Sequence, residues 1–219
     1  KFKYVHGKIS TFGDITAIYF RENFTDDRKF PRIDKAEAVN ISHIGSFRQE
    51  TLDMIRTHLA HLDPSYSNHY SKYNLKKAWS AISLRGYSSD PNFITKPIEM
   101  NDVWQKEHEN EEFFLQDTKY YELFPEIREL LSAFPDENIH RIRFMKLTPG
   151  GGELARHTDQ VDPDSGNSKG KLTRIHFPIY SNEDVKFTSW GYSGKRNDVN
   201  MKPGEIWMLN TNYPHTVKN

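Results

Sequence analysis

From Ile139 to the end, the chain offers only short apolar runs separated by Gly, Pro, Asn and Asp. Such runs are too brief for packed helices, so the apolar side chains there can be buried only between strands. Residues 141–147, 172–180, 185–190 and 205–209 read as strands, with turns at 149–152 and 201–204 and a last segment around His215. Successive short strands with turn signals between them indicate a sandwich or barrel, and a jelly roll of the cupin-like, double-stranded β-helix kind fits best. The expected fold is therefore mainly β with flanking helices.

The first part of the chain supplies those helices. Residues 2–20 alternate enough for one or two strands, and 21–40 are charged and loop-like around Pro31. Ser46-Phe47-Arg48-Gln49 has the form of a capping box, after which Leu52, Ile55, Leu59 and Leu62 recur at helical spacing until Asp63-Pro64. Residues 78–86 read as a buried strand, with Arg85 near its end where it could face a cavity. Residues 87–119 read as loop, pinned to the core by Trp104 and by Phe113, Phe114 and Leu115. Pro125 then opens a helix whose apolar face is Ile127, Leu130, Leu131 and Phe134. With 219 residues the economical division is a single domain, 1–138 being N-terminal strands and bracing helices and 139–219 the jelly-roll core.

Charge excludes some partners. Lys plus Arg and Asp plus Glu are both 30, so no net field draws the chain to nucleic acid or to an anionic membrane surface. The absence of cysteine removes disulfide frameworks and thiolate metal sites. No apolar run approaches membrane-spanning length and the first residues lack the apolar core of a signal peptide, so a cytoplasmic protein is the default expectation.

The chemistry is concentrated in Arg156-His157-Thr158-Asp159 and in His215 of Tyr213-Pro214-His215-Thr216. Two histidines and one carboxylate are the donor set that leaves half of an iron(II) coordination sphere open. His-x-Asp spacing alone is weak, because such a pair arises by chance about once in a chain of this make-up. His61-Leu62-Asp63 is the internal control, placed at a helix end with no remote partner. His157 instead follows a glycine-rich turn at a strand boundary, and His215 follows the last strand, an order that brings remote strands together at one mouth of a barrel. Between them, strand alternation sends Arg174 and His176 to one face and Ile175, Phe177 and Ile179 to the other. A polar pair beside a metal suggests an anionic co-substrate. The insert at 162–170 lies beside this site as a candidate lid.

Residues 141–150, His157-Thr158-Asp159, 174–179 and 203–211 leading to Pro214-His215 together resemble the aspartyl/asparaginyl beta-hydroxylase family. The resemblance implies an iron(II)- and 2-oxoglutarate-dependent oxygenase on a double-stranded β-helix, using O2 and releasing succinate and CO2. It implies His157, Asp159 and His215 as iron ligands, with Arg174 and His176 facing the co-substrate and substrate. Some family members lack the carboxylate at the position of Asp159; its presence here, as in the amino-acid hydroxylases, favours a small-molecule over a peptide substrate. The family's arginine for the distal carboxylate of 2-oxoglutarate lies on a strand after the second histidine; here either that strand lies beyond Asn219, which is the favoured expectation, or the anchor is a different residue. The competing readings are a cupin-like metal-binding sensor without oxidative turnover, a metal-dependent isomerase or dioxygenase needing no keto-acid, and a sandwich used only for protein contacts.

Overall fold

A computed structural model of the protein describes residues 2–4, 7–9, 40–71, 73–134, 139–159, 174–191 and 194–219. In chain order these form β1 (Phe2–Tyr4), β2 (Gly7–Ile9), β3 (Ile41–Ser46), α1 (Gln49–Leu62), β4 (Ser67–Asn68), β5 (Asn74–Leu75) and β6 (Trp79–Gly86). There follow α2 (Asp102–Glu107), β7 (Gln116–Asp117), α3 (Lys119–Leu123), α4 (Pro125–Leu131), β8 (Ile142–Leu147) and β9 (Glu153–His157). The last elements are β10 (Arg174–His176), β11 (Lys186–Trp190), β12 (Arg196–Val199), β13 (Glu205–Leu209) and β14 (His215–Lys218). The fold is mainly β, and among the described residues the strands form separate antiparallel sheets rather than a closed barrel. Two compact units are present, Lys1–Leu52 with Leu154–Asn219, and Asp53–Glu153. Of the strands expected within 2–20, β1 and β2 pair as a hairpin. Residues 10–39, and with them the expected loop at 21–39, lie outside the described residues, as does the candidate lid at 162–170.

Besides the β1–β2 pair, the described residues of the first unit form two sheets that share a core. One has the order β10-β13-β3 and the other contains β12-β11-β14-β9. Ile41 and Leu209 from the first meet Phe187 from the second, with Met201 beside them and Val199, Trp207 and Val217 at the margin. These residues recur at every second position along their strands, which is why the sheets bury one face against each other. The strand expected at 172–180 is shorter on its C-terminal side, ending at His176. Pro178 cannot donate to a ladder, and its carbonyl instead accepts from the Gly204 N–H at 3.0 Å. The strand β12 was not anticipated, because Arg-Asn-Asp-Val has little strand propensity. Pairing with β11 creates it, and Asp198 accepts bonds there from Thr188 (2.6 Å) and Arg196 (2.8 Å).

The helix expected after Ser46 begins at Gln49. Ser46 is not its cap: it is the last residue of β3, opposite Glu205, and the next N–H, of Phe47, donates to Gly204 O at 2.9 Å. Sheet pairing therefore holds the backbone where a capping box would need it free. Leu52 and Ile55 are fully buried, as the spacing predicts. The helix stops where Asp63 adopts φ 37° and donates to Leu59 O at 3.0 Å, just before Pro64.

In the second unit β6 is central, flanked by β8, β4 and β7. Ala81, Ile82 and Leu84 are buried along it, and Phe124 is buried against Phe144, ring centroids 4.9 Å apart. Helix α4 begins at Pro125 as expected, with Ile127 buried. Two short helices interrupt the stretch read as loop. Asn101 caps α2 by accepting the Trp104 N–H at 3.0 Å, and Thr118 caps α3 by accepting the Tyr120 N–H at 3.3 Å. Both caps were present in the sequence, but each run is too short to show a helical period. Trp104 does pack on Phe113 at 5.5 Å, whereas Phe114 and Leu115 are exposed. Arg85, expected near a strand end where it could face a cavity, pairs bidentately with its cross-strand neighbour Asp117 at 2.5 and 3.1 Å and lies 5.1 Å from the Tyr121 ring. No described helix is long and apolar enough to cross a membrane.

The turn before β9 is demanding. Gly150 and Gly151 have φ of 76° and 103°, and a Cβ on Gly152 would collide with the Thr148 carbonyl. Thr148 cannot yield, because its N–H and hydroxyl both bond Ala78 O, at 2.8 and 3.1 Å. Gly152→Ala is expected to lower stability by about 2–3 kcal/mol in urea denaturation; a loss below about 0.5 kcal/mol would show that the turn can relax.

Candidate metal centre

His157 ends β9, Asp159 follows two residues later, and His215 opens β14. The Asp159 N–H donates to Thr211 O at 2.9 Å, tying the segment after β9 to the loop after β13. This brings the three side chains together, one ligand atom from each lying within 4.8 Å of the others. Asp159 Oδ1 is 3.7 Å from His157 Nε2 and 3.8 Å from His215 Nε2, and the two rings are 4.3 Å apart.

Each imidazole is oriented by its own backbone. His157 Nδ1 lies 2.7 Å from Ala155 O and His215 Nδ1 lies 3.0 Å from Tyr213 O, in both cases the carbonyl two residues back. A carbonyl can only accept, so Nδ1 carries the hydrogen and Nε2 presents its lone pair toward Asp159. Burial pushes both pKa values down, that of His215 to about 4, against the opposing pull of the Asp159 charge. Both rings are thus neutral near pH 7, the state a metal ligand needs. His215 Nε2 is buried and has no hydrogen-bond partner. Phe187 stacks on the His215 ring at 5.9 Å and 10°, fixing its plane.

The carboxylate is divided between two tasks. Burial alone would raise the Asp159 pKa, but the Arg174 guanidinium, then the two histidines and a hydrogen bond from Thr211, hold it well below the usual range. Arg174 Nη2 donates to Oδ2, which leaves Oδ1 facing the imidazoles. Arg174 is positioned by the β10 pairing to β13, opposite Leu209. His176, two residues on, packs edge-to-face on Phe187 at 5.7 Å.

The structure therefore gathers His157, Asp159, His215 and Arg174 in direct contact, with His176 joined to them through Phe187. His61 and Asp63 sit exposed at the end of α1 and belong to no such donor group among the described residues. Phe187, Thr211 and the carbonyls of Ala155 and Tyr213 were not legible beforehand, because their roles depend on strand register. Two neutral imidazoles and one carboxylate, His157 from the end of β9, Asp159 just beyond it and His215 from β14, suit a divalent first-row metal with open positions. A family model described as aspartyl/asparaginyl beta-hydroxylase matches residues 42–219, a span that includes every residue of this site. No curated protein matches the chain.

Proposed function

Because the chain belongs to the aspartyl/asparaginyl beta-hydroxylase family, we propose that it is an iron(II)- and 2-oxoglutarate-dependent oxygenase. It would hydroxylate an unactivated carbon of an amino acid or amino-acid-like substrate and release succinate and CO2. The observation that carries this reading is the buried, unpartnered Nε2 of His215, aimed with the Nε2 of His157 at one oxygen of Asp159. Such an atom costs free energy unless something accepts its lone pair, and the donor set around it fits iron(II). His157, Asp159 and His215 would hold the metal, and Ala155 and Tyr213 would keep both rings in the ligating tautomer. Iron(II), when bound with 2-oxoglutarate and O2, supplies the oxidising power that side chains lack.

The remaining residues bind and orient. Arg174 has donors beyond the one committed to Asp159, and with His176 on the same face it is the candidate for a co-substrate carboxylate. Phe187 closes the wall behind both histidines. A double-stranded β-helix belongs to this reading, supported by two antiparallel sheets that share one core and meet at the donor set. The small-molecule substrate rests on the carboxylate Asp159.

One observation favours a second reading, a cupin-like metal-binding protein without oxidative turnover: Arg174 is already engaged internally by Asp159. The assay that separates the two is succinate formation from 2-oxoglutarate under air, with iron(II) and ascorbate, against free amino acids and short peptides. Substrate-stimulated succinate is the expected result. Tight iron binding with no succinate from any member of the panel would establish the binding protein instead.

A further inference from the structure

Beyond the candidate metal donors, the first unit holds buried polar atoms that the fold leaves unpartnered, one on the sheet of His215 and one just before β3. Ser189 is 1% exposed and its Oγ has no hydrogen-bond partner. It lies directly opposite His215 on β14 and opposite Asn197 on β12, so the three side chains share one face. Phe187, two residues before Ser189, contacts both His176 and His215, which shows that this face looks into the site. Next in line is Asn40, 0% exposed. Its Oδ1 accepts from Asn197 Nδ2 at 3.1 Å and its backbone carbonyl accepts from the Asn210 N–H at 3.0 Å, yet its Nδ2 is unpartnered. Two buried donors without acceptors are a cost that alanine and valine would have avoided.

We propose that Ser189 and Asn40, with Asn197 bracing Asn40, form a recognition subsite for an uncharged oxygen acceptor, a carbonyl or hydroxyl, on the organic substrate. The inference rests on the oxygenase reading. Asn40 Nδ2 can only donate and the Ser189 hydroxyl is able to, so a group that meets both must accept. The positions sharing this face, Phe187, Ser189, Asn197, Val199, His215 and Val217, carry no cationic side chain, and Arg174 is engaged by Asp159 and assigned to the co-substrate, so a further carboxylate would be desolvated there without a side-chain counter-charge of its own. 2-Oxoglutarate bears a carboxylate at each end, and its keto group adjoins one of them and could not reach this pair without burying that charge as well, so the group that fits belongs to the substrate.

Two measurements test this. In the metal-free protein Ser189→Ala is expected to raise the melting temperature by about 2–4 °C, because it removes a buried hydroxyl that the fold does not satisfy. A fall would mean that a structural water holds Ser189, and the subsite is lost. In protein loaded with Mn(II) and 2-oxoglutarate, calorimetry is expected to show L-glutamine or L-asparagine binding at least about 10-fold tighter than L-glutamate or L-aspartate. Ser189→Ala and Asn40→Ala should each reduce that preference about 5–10-fold while leaving Mn(II) affinity unchanged. No amide binding, equal binding of the acids, or an undiminished preference in both variants would overturn the proposal. Failure of the unmutated protein to bind Mn(II) would sink the metal centre instead, and the melting result would still decide whether Ser189 is vacant.

Discussion

His157→Ala is expected to weaken Mn(II) or iron(II) binding by more than about 100-fold and to abolish substrate-stimulated succinate, with the fold intact. Removing a partner that merely orients a metal ligand costs about 10–100-fold in affinity, so loss of a ligand itself must exceed that range. The fold survives because His157 sits at the end of β9, and its truncation strands one acceptor, the Ala155 carbonyl, at about 1 kcal/mol. His61→Ala is the matched control and should change neither binding nor turnover, since His61 is exposed at the end of α1. Titration calorimetry of both variants, with circular dichroism to check folding, decides the matter. Loss of metal from the His61 variant and its retention in the His157 variant would mean the ligands were misassigned.

Arg174→Ala carries the second largest effect. Arg174 holds Oδ2 of Asp159 and is foremost among the groups that keep this carboxylate ionised, so its loss frees the side chain to rotate and lets its pKa rise. Metal affinity is expected to fall about 10–100-fold. Arg174→Lys should recover only part of it, because an ammonium offers a point charge where the guanidinium offers a planar fork. Substrate-stimulated succinate would fall in the same order. If Arg174→Ala leaves Mn(II) affinity unchanged and raises only the KM for 2-oxoglutarate, then the arginine serves the co-substrate alone and its bond to Asp159 is incidental.

How much was legible beforehand differs from residue to residue. The stripe of Leu52 and Ile55 predicted α1, because helical spacing is a local property that tertiary contacts then reinforced. The start of that helix was misplaced because Ser46 is claimed by pairing with Glu205, a partner more than 150 residues away. The strand β12 was invisible for the same reason, its polar residues being ordered by β11 rather than by their own propensity. Arg85 offered a charge at a strand end and nothing more; whether it met a ligand or Asp117 depended on register.

At the candidate metal centre the donor types and their order are legible in residue identity alone: His157 and Asp159 after a glycine turn, His215 after the last strand, Arg174 and His176 on one face. These are matters of residue identity and of alternation with a period of two, which a linear chain displays. That Arg174 grips Asp159, that backbone carbonyls fix both imidazole tautomers, and that Ser189 lies opposite His215 with its hydroxyl unpartnered are visible only in the folded chain. Each of those facts is a distance between groups on different strands or loops, and burial sets its consequence, since a vacant donor or lone pair is costly only where water is excluded.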